Sequence, residues 1–149
     1  MIRRLVLFSV IILTANLTLF KSTAASENSE LCSFSQPTPG MLATEGNPLP
    51  TKLVSSSEAG GSPTKIDVIC NQPVNLTVSA PIQIAGPQFT PVSAVATVTT
   101  LSGNSTKFGD APLALPAGTT ALSINFSIDK GRSLRAGNYS YTVKFTVVP

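Results

Sequence analysis

Three long stretches of the chain alternate apolar and polar residues, the pattern of a β-strand with one buried and one wet face. In Val74–Ile84, Val74, Leu76, Val78, Ala80, Ile82 and Ile84 alternate with Asn75, Thr77, Ser79, Pro81 and Gln83. Pro81 has no N–H to give to a ladder, so this run is expected to bend, split or lie at an edge there. Ala121–Asp129 sets Leu122, Ile124, Phe126 and Ile128 against Ser123, Asn125, Ser127 and Asp129, and reads as a central strand. Asn138–Val148 sets Tyr139, Tyr141, Val143, Phe145 and Val147 against Ser140, Thr142, Lys144 and Thr146. Between the last two runs, Lys130–Gly137 holds two glycines and reads as the connection of an antiparallel pair, with Tyr139–Val148 beside Ala121–Asp129. Two shorter strands are expected. Lys65–Asn71 carries Ile66, Val68 and Cys70 on one side, and Ala94–Leu101 is β-branched with an ambiguous facing.

The spaces between these runs are rich in turn formers. All 12 prolines and 10 glycines lie beyond residue 25, which leaves little room for long helices. Residues 36–64 hold Pro37, Pro39, Gly40, Pro48, Pro50, Gly60, Gly61 and Pro63, and read largely as loop with a short strand at Lys52–Ser55. Short strands joined by Gly/Pro turns, with no helical period, predict an all-β antiparallel sandwich over residues 26–149 as a single domain. A chain of this size buries roughly 65% of its unfolded surface, enough for one core.

Residues 1–25 have a different character and are expected to be a secretory signal peptide. Arg3 and Arg4 form a basic start, Leu5–Leu13 is apolar except for Ser9, and Ser22, Thr23, Ala24 and Ala25 supply small residues for cleavage after Ala25. The rival, an uncleaved anchor, has only Leu5–Phe20, interrupted by Thr14, Asn16 and Thr18. A span needs about 20 apolar residues, so no membrane span is expected in the mature chain. The location is then exported: periplasmic, cell-surface or extracellular. In that oxidising setting Cys32 and Cys70, the 2 cysteines present, are expected to form a structural disulfide, because a redox pair would need close spacing such as Cys-x-x-Cys.

Placing the charges changes their meaning. The net charge is +3, but Arg3, Arg4 and Lys21 lie in the leader; beyond Ala25 seven Lys/Arg face seven Asp/Glu. A neutral mature chain has no footprint for nucleic acid. With no His and no Trp, His-based triads and His-ligated zinc are excluded, and no catalytic residue, metal or cofactor is expected. The protein therefore reads as a non-enzyme.

Four segments resemble a known family. Cys32 stands near the mature N-terminus, Lys65–Asn71 ends in the second cysteine, Pro73–Ser79 follows at once, and Ala136-Gly137-Asn138-Tyr139-Ser140-Tyr141-Thr142-Val143 forms a closing motif. Together they resemble the spore coat protein U-like domain and the wider group of chaperone-usher pilins. The resemblance implies an immunoglobulin-like, pilin-like sandwich with the disulfide between its first two strands. It also implies a structural or adhesive role at the cell surface. The partners would be a periplasmic chaperone or another surface subunit, engaged by β-strand addition. Only Ser26–Leu31 precede Cys32 in the mature chain, too few for a donor strand. The chain is expected to complete its own sandwich or to receive a strand.

Surface chemistry offers one further candidate. Lys130, Arg132 and Arg135 gather in one loop, where they would meet an anionic polysaccharide or a partner's carboxylates, with a plain solvated turn as the bland alternative. The alternative function is a monomeric carbohydrate- or ligand-binding module that uses loops at one end of the sandwich. The seven carboxylates Glu27, Glu30, Glu45, Glu58, Asp67, Asp110 and Asp129 are scattered and pair in no acid/base motif. Gly60–Lys65 lacks the spacing of a phosphate loop and reads as a turn. Tyr139 and Tyr141 share the phase of Val143 and Phe145 and are expected in the core. Asn75, Asn104, Asn125 and Asn138 each open an Asn-x-Ser/Thr sequon, with Asn104 the one in a loop.

Overall fold

The structure, a computed structural model, describes residues 31–149 and the backbone of residues 8–13. The expected cleavage point after Ala25, and Glu27 and Glu30, lie outside the described residues. Among the described residues twelve strands form in chain order: β1 Phe8–Leu13, β2 Cys32–Phe34, β3 Ala43–Glu45, β4 Lys52–Val54, β5 Thr64–Cys70 and β6 Val74–Val78 come first. They are followed by β7 Ile82–Ala85, β8 Ser93–Thr100, β9 Ser105–Lys107, β10 Leu113–Leu115, β11 Gly118–Asp129 and β12 Ser140–Val148. All pairings are antiparallel. A five-stranded sheet holds β1, β12, β6, β7 and β10, and a seven-stranded sheet holds β2–β5, β8, β9 and β11. Their apolar faces meet in a sandwich-like core.

The longest strand organises its sheet. β11 pairs along one edge with β5 through residues 118–124 and with β4 through residues 127–129, and along the other with β8 through residues 122–129. It is central, as its alternation predicts, and Leu122, Ile124, Phe126 and Ile128 are buried. Where β11 changes partner from β5 to β4, Ser55 fills the gap: its N–H donates to the Phe126 carbonyl at 3.0 Å, and its Oγ accepts the Phe126 N–H at 2.8 Å. Ser55 is fully buried. A backbone pair that no strand covers is thereby satisfied.

β5 alternates buried and exposed residues without a break. β2 lies beside it with Cys32 opposite Cys70, and the two are joined by a disulfide as expected. Closing a separation of 38 residues stabilises the fold by ~3–4 kcal/mol on the chain-entropy model. Residues 36–64 contain the expected strand at Lys52–Val54 and an additional one, β3, paired with it.

Two sequence expectations need correction. Val74–Ile84 does split before Pro81, but the phase changes across the break. Val74, Leu76 and Val78 are buried, whereas Ile82 and Ile84 are 40% and 45% exposed. The Ser79 N–H donates to the Lys144 carbonyl, and the Ser79 Oγ accepts the Lys144 N–H, so the ladder ends on Ser79 and β7 restarts with an independent facing.

The second correction is topological. β12 does not pair with β11; it lies in the other sheet, between β1 on one side and β6 and β7 on the other. Residues 130–139 cross from sheet to sheet. A hairpin uses about two to five loop residues, whereas this segment is long enough to cover the ~10 Å between sandwich layers. The inward facing survives the correction: Tyr139, Tyr141, Val143, Phe145 and Val147 are buried, opposite the inner face of β11.

Candidate functional site

Two places carry features that a purely structural sandwich does not need. The first is the outer edge of β12. Its residues 140–145 pair antiparallel with β1, in the register Phe8 with Phe145 through Leu13 with Ser140. β1 is part of the segment that reads as the export leader. Beside it, Phe34 of β2 stacks on Phe145 with ring centroids 5.7 Å apart and planes within 5°, tying the two sheets together at this margin. β1 thus occupies a strand position that completes the edge of the five-stranded sheet.

The second is a cleft of about 330 Å³ lined by Gln88, Phe89, Lys130, Arg132, Ser133 and Arg135. It gathers the three cations singled out in the sequence. Its floor is built by the loop between β11 and β12. The Lys130 N–H donates to Thr51 and the Leu134 N–H to Pro50, pinning the loop to the segment before β4 at 2.9 and 2.8 Å. The Tyr139 hydroxyl donates to the Arg135 carbonyl at 2.6 Å, fixing the far end.

The other wall follows β7. Gly86, at φ +100°, lets the chain pass against β12: a Cβ there would lie 2.5 Å from the Asn138 carbonyl oxygen. Beyond it, Phe89 packs edge-on against Tyr139 at 6.0 Å, and the Lys130 ammonium sits 5.5 Å from the Phe89 ring centroid. The same ammonium donates to the Ser133 carbonyl at 2.9 Å. Phe89 and Gln88 were not legible as site residues in the sequence, since nothing marks them as neighbours of a loop some forty positions later.

The carboxylate nearest in sequence, Asp129, is engaged elsewhere. Its Oδ1 accepts the Gly131 N–H at 2.7 Å, and its Oδ2 lies 4.0 Å from the Lys52 ammonium. Arg132 and Arg135 are exposed and form no ion pair with a described residue. The cleft is therefore locally cationic, although Lys/Arg and Asp/Glu are equal in number beyond Ala25.

Tyr139 and Tyr141 are 3% and 2% exposed and offer no stacking platform. The Tyr141 hydroxyl has no hydrogen-bond partner among the described residues, and its pKa is pushed up to about 12, chiefly by burial and secondarily by Tyr139. Among the described residues no three or more His, Cys, Asp or Glu side chains come together as a metal site. No helix among them is long and apolar enough to cross a membrane. Gly60 closes a short 3-10 turn over Ser57–Ala59, and Asn104 is exposed in the β8–β9 turn. No protein-family model, curated protein or solved structure matches the chain.

Proposed function

We propose that the chain is an exported, non-enzymatic structural or adhesive protein of the cell surface, built like a pilin subunit, and that the β12 edge receives a strand from a partner. The observation that carries this reading is the pairing of Phe8–Leu13 with Ser140–Phe145. If export removes residues 1–25, β12 loses its neighbour along residues 140–145. An open apolar edge pairs readily with other chains, so a protein that carries one needs a dedicated strand to fill it. A segment with alternating apolar residues, supplied by a periplasmic chaperone or another surface subunit, fits that edge through backbone hydrogen bonds.

Two further features support the reading. The disulfide suits an oxidising compartment. The bond from Tyr139 to the carbonyl four residues before it, at the start of the last strand, resembles the tyrosine corner of immunoglobulin-like sandwiches.

The test compares the full chain with one beginning at Ser26. The shorter chain is expected to melt lower and to bind a peptide spanning Val6–Thr14, recovering the lost stability, while the same peptide carrying Val10→Pro does neither. A shorter chain that melts like the full one and ignores the peptide refutes strand acceptance and leaves the monomeric binding module.

A further inference from the structure

We infer that the cleft between Gln88–Phe89 and the loop Lys130–Arg135 binds an acidic saccharide, taking the carboxylate of a uronate unit on Arg132 and Arg135. This inference stands independently of the strand-acceptor reading, since it uses neither the β12 edge nor β1.

Three cations line one cleft, and the adjoining carboxylate is turned to Gly131 and Lys52. Lys130 is held by the Ser133 carbonyl and by the Phe89 ring, which together orient its ammonium. Arg132 and Arg135 have no such internal partners among the described residues. Their planar guanidinium groups present paired donors that match a carboxylate.

The cleft is also preorganised. Hydrogen bonds from Lys130 to Thr51, from Leu134 to Pro50 and from Tyr139 to Arg135 hold the loop backbone at three points. Gly131 adds a left-handed turn at φ +76°, which favours glycine, and a Cβ there would lie 2.9 Å from the Val92 side chain. A loop already ordered loses little entropy when a ligand arrives.

The lining then selects among anions. A volume of about 330 Å³ lies in the range of small-molecule sites and admits a sugar ring with its charged group. Gln88 and Ser133 add an amide and a hydroxyl for sugar hydroxyls, and Phe89 supplies an apolar wall. A bare inorganic anion would leave those groups unused. Nucleic acid would require a longer basic track than this neutral mature chain offers.

Titration calorimetry of the full chain with oligogalacturonate tests the inference, with methyl-esterified oligogalacturonate and poly-L-glutamate as comparison ligands. Oligogalacturonate is expected to bind, more weakly as salt rises. The methyl ester and polyglutamate are expected to bind at least about tenfold more weakly. The double variant Arg132→Gln, Arg135→Gln should lose about tenfold or more in affinity, whereas Lys107→Gln on distant β9 keeps it; both positions of the double variant are exposed, and an unchanged melting temperature confirms that its fold is intact. Absence of oligogalacturonate binding, or binding that the double variant leaves intact, overturns the site. Equal binding of the methyl ester overturns the carboxylate contact, and equal binding of polyglutamate overturns the saccharide in favour of an acidic protein partner.

Discussion

Replacing Ser55 with alanine removes one oxygen atom, yet it strikes the point where β11 changes neighbours. The Phe126 N–H is directed at the Ser55 Oγ, 2.8 Å away in a fully buried setting. On that edge β5 has ended its pairing at Ile124 and β4 has not begun before Ser127, so no other strand offers an acceptor. Alanine leaves the Phe126 N–H buried and unpaired, which costs about 1–3 kcal/mol. The second contact of the hydroxyl, to the Asn125 Oδ1 at 3.4 Å, is long and adds little. At about 4 °C per kcal/mol for a domain of this size, the melting temperature falls by about 4–12 °C. Urea denaturation and thermal melts give the global loss, and amide exchange at Phe126 gives the local one, with protection expected to drop by about tenfold or more. Ser127→Ala, at an exposed position of the same strand, is the control and stays within about 0.5 kcal/mol. If Ser55→Ala is equally neutral and the Phe126 amide keeps its protection, the idea that Ser55 plugs the sheet at this junction fails.

Two other substitutions probe the core and its facing. Tyr141→Phe removes a buried hydroxyl that has no partner, so stability at neutral pH is expected to stay level or rise by about 1 kcal/mol. Because the folded Tyr141 pKa is raised to about 12, its contribution is intact below about pH 10 and is lost as pH rises from there towards 12, where the unfolded chain ionises first; the Phe variant should show a shallower alkaline decline in chemical denaturation. Ile124→Asp places an unpaired charge at a position with 0% exposure and should destabilise by several kcal/mol, whereas Asn125→Asp, on the partly exposed face, should be close to neutral; equal losses in urea titrations would contradict the two-layer arrangement.

Several features of this protein follow from local sequence alone, because each rests on an interaction that the chain repeats every second residue. Alternation in Ala121–Asp129 marked the buried face of β11 and its central place, and alternation in Lys65–Asn71 set Cys70 on the buried side where Cys32 meets it. Tyr139 and Tyr141 were legible as core residues from their phase with Val143 and Phe145. The three cations of Lys130, Arg132 and Arg135 were visible as a cluster because they share one loop.

Other features exist only once distant segments are in contact. The sheet that β12 joins depends on how residues 130–139 cross the sandwich, a path set by the pinning of that loop to Pro50 and Thr51. The outward facing of Ile82 and Ile84 depends on where the ladder with β12 stops at Ser79. Three-residue strands such as β3, β9 and β10 are too short to carry a period and form because a longer strand offers them a partner. The cleft needs Phe89 against Lys130, and the completed edge needs Phe8–Leu13 against Ser140–Phe145. Periodicity reports which way a side chain points; which neighbour it meets is decided by backbone pairing and close packing across the whole fold, and these have no local sequence signal.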